Sequence, residues 1–299
     1  MSENLRRVEH IVQGRYVMEG AGVRLRRALG GSDLRTLDPF LLLDDFKSDS
    51  PEDYIAGFPW HPHRGMETVT YMIHGEIKHE DSLGNTGVIG PGDVQWMTAG
   101  GGIIHQEMPH QQEGLLWGFQ LWVNLPAADK MGSPRYREIT AGSIPRVPVA
   151  EGGTVGVIAG ALGDVESPAR EIAGSPRYLD VRLEADAEIT LPITVGHTAF
   201  AYVFEGAAML GDDGTAVHAG SLAVLAMPKP AGEAEGIGTE SKAGEAVAAR
   251  AGDEGAGFLL ISGRPINEPI VWYGPFVMNT QEEIEQAMRD YRDGTLARP

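Results

Sequence analysis

The chain has 299 residues, with 42 Asp and Glu against 24 Lys and Arg, a formal net charge of −18 at neutral pH, and no cysteine. A field of that sign repels phosphate backbones, and no Lys/Arg-rich run offsets it locally, so direct nucleic-acid binding is disfavoured. The missing cysteine excludes disulfides, thiolate ligands and a thiol nucleophile, which leaves histidine and carboxylate to build any metal site.

Length alone suggests two domains, and 40 Gly with 19 Pro favour many turns and few long helices. That composition predicts an all-β fold. The first ten residues are charged and lack the apolar core of a signal peptide. Apolar runs such as Phe40–Leu43 fall far below a membrane span, which gives the expectation of a cytoplasmic protein without membrane contact. Residues 11–47 read as short strands broken by Gly30-Gly31 and ending in the Leu41–Phe46 run. From 66 to 125 the pattern is strand, turn, strand. Glu67–Ile73 is β-branched and aromatic, Ser82–Gly87 and Gly90–Asp93 are turn chemistry, and Trp117–Val123 is a further strand. Residues 126–150 read as an inter-domain link.

The second half echoes the first, Ala199–Gly206 resembling Thr68–Gly75 and Ala219–Leu225 resembling Pro91–Met97, as in a duplicated β-barrel. Residues 230–257 read mostly as a mobile loop with one marginal strand near Glu245–Ala251. A helix is predicted over Thr280–Arg292, with Thr280 as N-cap, Glu283 at capping-box spacing, Gly294 as stop, and Ile284, Ala287, Met288 and Tyr291 as its apolar stripe.

The chemistry concentrates in two short segments. His61 and His63 are two residues apart, so in extended backbone both imidazoles project from one face. His105 and Glu107 repeat that spacing. Two such pairs on neighbouring strands can converge on one point inside a barrel. Three imidazoles and one carboxylate suit Fe, Ni, Cu, Mn, Zn or Co and leave coordination positions open for substrate, the mark of a catalytic rather than structural site.

At this point the chain resembles a known family, the pirins of the cupin superfamily. The resemblance rests on His61–Tyr71, Gly90–Pro109, Trp117–Pro126 and Asn267–Thr280. It implies an all-β bicupin, two antiparallel jelly-roll β-barrels with a short C-terminal helix. Residues 1–135 would form the metal-binding barrel, and residues 136–299 a metal-free barrel carrying the helix. By position it implies His61, His63, His105 and Glu107 as metal ligands, with iron(II) the favoured ion. Many other cupins take a glutamate shortly after the first histidine pair, here Glu67, which we read instead as supporting or structural.

The resemblance further implies quercetin 2,3-dioxygenase activity, with a flavonol-like aromatic hydroxyl compound and O2 as substrates and Glu107 as proton acceptor. Its alternative is a non-enzymatic metal- or redox-dependent regulator that binds a protein partner; under either reading a monomer is expected. Other residues take plainer readings. His74, His79 and His110 lack a partner two residues away and read as surface or capping histidines, and His197 reads as inert. Gly100–Gly102 opens no helix and lacks the following Lys-Ser/Thr, so it reads as tight backbone passage rather than a phosphate cradle. Phe58, Trp60, Trp96 and Met97 are candidates for an aromatic pocket or for core. No Gly-x-Ser-x-Gly segment supports a serine hydrolase.

Overall fold

The computed structural model describes residues 4–169, 172–227 and 245–297. The chain forms two compact units, neither of them a continuous stretch: residues 14–144 with 266–299, and residues 1–13 with 145–265. This differs from the expected division at 135/136. The helix belongs with the first unit, because residues 266–297 pack back onto it, and the N-terminal strand Val8–Gln13 pairs with Ser221–Leu225 of the second. Sequence order hides such exchanges, since local patterning does not say which sheet an end segment joins.

In the first unit a seven-stranded sheet runs in the order Arg135–Ile139, Val94–Thr98, Met66–His74, Leu116–Asn124, Phe40–Ser48, Val23–Leu29 and Arg15–Glu19. A four-stranded sheet runs Phe58–His63, Ile103–Pro109, Ile77–Asp81 and Thr86–Ile89. Met66–Met72 is buried on both faces, which explains its unbroken β-branched and apolar run. The predicted link at 126–150 supplies a strand, with Arg135–Ile139 pairing antiparallel to Val94–Thr98. It forms the sheet edge, where charged residues are favoured and disguise the strand pattern.

The second unit is built on a ten-stranded sheet around Glu245–Gly263, a 19-residue strand. The marginal strand near 245–251 is therefore the start of the longest one. The part of the loop reading that falls on 228–244 lies outside the described residues, and the part at 252–257 is corrected to strand. At Gly257 the glycine has a packing cause: a Cβ there would sit 2.5 Å from the Phe204 ring.

The helix runs Gln281–Arg292 with a complete capping box between Thr280 and Glu283. Ile284 and Ala287 are fully buried, whereas Met288 and Tyr291 stay substantially exposed, so the buried stripe is narrower than expected. Arg64, next to His63, ties the helix down by donating to Asp290 at 2.7 Å and to the Gly101 carbonyl at 2.6 Å.

Between Phe58–His63 and Met66–His74 the chain turns at Gly65 (φ +80°), where a Cβ would meet the Val277 carbonyl at 2.0 Å. Gly100 (φ +49°) passes the Gly132 carbonyl just as closely, which bears out tight backbone passage at 100–102.

Lys130, 1% exposed, locks this corner: its Nζ donates to the Gly65 carbonyl (2.7 Å), Asn124 Oδ1 (2.5 Å) and the Val277 carbonyl (2.9 Å). Burial lowers its pKa to about 8, against the pull of Glu268 and Glu283, so at neutral pH it keeps the proton that three donors require. Lys130→Met keeps most of the volume but leaves three buried acceptors unpaired. It should destabilise the protein by about 2–4 kcal/mol in urea unfolding. An unchanged midpoint and slope would contradict this account of the corner.

Candidate metal centre

Phe58–His63 and Ile103–Pro109 pair antiparallel, which sets His105 directly opposite His61. The register then shifts: Glu107 faces Phe58, so Pro59 and Trp60 together oppose the single Gln106. Such a bulge re-aims side chains beside a site. Here it frees the Pro59 carbonyl, which accepts from His61 Nδ1 at 2.8 Å. A carbonyl only accepts, so His61 carries its proton on Nδ1 and presents a lone pair at Nε2.

The three imidazoles converge, with ring centroids 4.8 Å apart for His61–His63, 4.3 Å for His61–His105 and 4.9 Å for His63–His105. Among the described residues two groups have ligand atoms all within 4.8 Å of one another: His61, His63 and His105, and a second of His79, His105 and Glu107. The four residues singled out by spacing thus meet as a histidine triad, with Glu107 joined to it through His105. His63 and His105 are buried, and burial, followed by the neighbouring imidazoles, holds both well below the usual histidine pKa. Neutral imidazole is the metal-binding form. His105 Nε2 and His63 Nδ1 are also buried without a hydrogen-bond partner among the described residues, which a metal ion would explain. The donor set fits the implied cation.

His79 departs from its surface or capping expectation. It is fully buried, not a surface histidine, and it touches the site. Its Nε2 lies 3.3 Å from Asp81 Oδ2, and its Nδ1 lies 3.4 Å from His105 Nδ1. The Asp81 carboxylate is an acceptor for Nε2–H; with Nδ1 unprotonated, His79 accepts from His105 Nδ1, the arrangement that leaves the His105 lone pair on Nε2. Asp81 is itself anchored by the Leu83 and Asn85 amides and by Asn85 Nδ2, and Tyr136 stacks on the His79 ring. The His-x-Asp spacing of 79 and 81 was the available signal. His79→Ala should weaken metal binding about 10–100-fold in a competitive chelator titration, with exposed His74→Ala as the unchanged control. Equal affinity in the two variants would contradict this role.

Glu107 Oε1 lies 2.8 Å from Thr70 Oγ1, and its Oε2 accepts from Gln120 Nε2 at 3.1 Å. Thr70 Oγ1 also lies 2.6 Å from Gln120 Oε1. Glu67 points the other way, since alternation puts it on the strand face opposite Thr70. Its carboxylate accepts from Trp96 Nε1 (3.0 Å) and Thr98 Oγ1 (2.8 Å), outside the histidine cluster. His74 and His110 are exposed, and His197 is buried in the second unit.

His61, His63, Thr70, Glu107 and Gln120 line a cavity of about 750 Å³ in the first unit. Phe58 and Trp60 line it as anticipated, joined by Trp122 and Trp272. Trp96 and Met97 do not line it and are buried core.

Two cupin-type units, one holding a buried histidine–carboxylate cluster beside an aromatic-walled cavity, define a protein of the cupin class. Residues 22–123 match the family Pirin, and residues 178–297 match the Pirin C-terminal cupin domain. A Pseudomonas aeruginosa protein provisionally named a quercetin 2,3-dioxygenase is 47% identical, covering 95% of each chain. Human pirin is 42% identical, covering 94% of this chain and 91% of its own. The crystal structure of quercetin 2,3-dioxygenase from Acinetobacter baumannii superposes with a TM-score of 0.86 at 34% identity, covering 98% of this chain and 99% of that one. The chain belongs to the pirin family. No helix among the described residues is long and apolar enough to cross a membrane.

Proposed function

We propose that the protein is a mononuclear metal-dependent oxygenase of the quercetin 2,3-dioxygenase type, with His61, His63, His105 and Glu107 as ligands and iron(II) as the favoured ion. The observation that carries this is the convergence of three imidazoles beside one carboxylate, with His61, His63 and Glu107 at the wall of an aromatic-lined cavity large enough for a polycyclic ligand. When bound, the cation supplies Lewis acidity to a substrate hydroxyl and one-electron reach toward O2. In the reaction, flavonol and O2 together become a ring-opened ester and carbon monoxide, with no other reactant.

The chain's own residues bind, orient and handle the proton. Phe58, Trp60, Trp122 and Trp272 offer ring faces and edges to a planar substrate. Glu107 accepts the substrate's hydroxyl proton, and its neighbours are built to accommodate the change. One Thr70 hydroxyl proton cannot serve both Glu107 Oε1 and Gln120 Oε1. With Glu107 ionised, Thr70 donates to it. With Glu107 protonated, Oε1 donates to Thr70 Oγ1, and Thr70 turns its own proton to Gln120. The test is oxygen uptake and carbon monoxide release with quercetin by iron-loaded protein. Turnover proportional to metal occupancy is expected. Fully loaded protein with no turnover would return the site to the regulatory reading.

A further inference from the structure

The apolar core of the second unit ends in charge. Leu179, Val181 and Leu183 face that core, and strand alternation extends their row to Arg177. Phe258 and Leu260 extend to Ser262, and Val247 and Ala249 to Glu245, while His197 and Arg6 lie just before the strands that begin at Thr198 and Val8. The ladders bring these ends together. Arg177 sits opposite Ser262, Ser262 opposite Ala199, and Glu245 opposite Ile193, while the Arg6 amide donates to the Ala246 carbonyl at 2.8 Å.

Arg6 is 1% exposed, and its Nε and Nη2 both donate to Glu245 Oε2. Its Nη1 is buried without a partner among the described residues. Arg177 Nη1 donates to the Pro192 carbonyl, its Nε is buried and unpartnered, and no carboxylate pairs with it among the described residues. His197 Nδ1 and Ser262 Oγ are likewise buried and unpartnered. Burial, then Arg264, Arg177 and Arg6, hold His197 below its usual pKa, so it stays neutral. Among the described residues Arg6 pairs with Glu245, whereas the partly buried Arg177 has no carboxylate partner and the exposed Arg264 adds further positive charge nearby, in a chain whose net charge is −18. Four buried donor atoms, Arg6 Nη1, Arg177 Nε, His197 Nδ1 and Ser262 Oγ, thus lack an acceptor among the described residues, beside a guanidinium without a counter-charge.

We propose that this end of the second unit is a partly buried binding site for one small oxyanion, a carboxylate or inorganic phosphate, held by Arg6 and Arg177 with Ser262 and His197 as further donors. Guanidinium forks and hydroxyl donors match the planar or tetrahedral oxygens of such a ligand.

The test is a thermal-shift and calorimetric titration of the full chain with sodium phosphate and, separately, sodium acetate at constant ionic strength. Wild type should show saturable one-to-one binding of at least one probe, and the stronger probe identifies the class. His105→Ala, which disables the candidate metal centre, should bind the probe as wild type does. Arg177→Gln should bind at least about tenfold more weakly, with Arg177→Lys in between should the first variant fail to fold. A shift that is unsaturable, or equal in wild type and both Arg177 variants, would overturn the proposal. So would no response to either anion, since the donors would then be satisfied within the chain.

Discussion

His105→Ala should abolish metal binding by the full chain. His105 is the hub of the cluster: it faces His61 across the strand ladder, lies 4.9 Å from His63 by ring centroid, and shares the second group with Glu107. Its Nε2 is buried without a hydrogen-bond partner among the described residues, so losing it removes the donor shared by both groups. Glu67→Ala is the informative comparison. It removes a buried carboxylate that serves Trp96 and Thr98, and burial, opposed by those hydrogen bonds and by Arg135 and Arg137, raises its pKa. Its loss should cost stability and, at most, the ~10–100-fold in metal affinity typical of a group that only supports a ligand. Affinity by chelator competition decides the matter. Equal and complete metal loss in both variants would make Glu67 a ligand.

Glu107→Gln should lose turnover far more than flavonol binding. Glutamine keeps the shape and a carbonyl oxygen for weak coordination, but it cannot take up the substrate proton. It also breaks the exchange with Thr70 and Gln120, because an amide in place of Oε1 or Oε2 sets a fixed donor where either a donor or an acceptor is needed. At matched metal occupancy, oxygen uptake with quercetin should fall about 10²–10⁴-fold. Rates close to wild type would leave Glu107 a ligand only.

The parts of this account legible in the sequence are those where chemistry follows short spacing. The i, i+2 pairs at 61/63 and 105/107 project to one side by strand geometry alone, and the helix announces itself through Thr280 and Glu283. What stayed hidden depends on contacts between distant segments. His79 reads as ordinary until the ladder sets it opposite Glu107 and Asp81 opposite His105. Lys130 looks like a solvated lysine until Gly65 and Val277 turn their carbonyls toward it. The Gly-rich run at 252–257 hides a strand whose pairing with Arg182 and Glu205 is long-range, and Phe204 leaves no room for a Cβ at Gly257. The exchange of end segments between units leaves no local trace at all.

The most direct test of the central claim is X-ray absorption at the metal edge, with elemental analysis, on the full-length iron-loaded protein. One ion per chain is expected, with three imidazole nitrogens and a carboxylate oxygen among its ligands, and loss of the imidazole signal together with the metal in a His61→Ala, His63→Ala double variant. Two ions per chain, fewer than three imidazoles, or an unchanged spectrum in the double variant would contradict it.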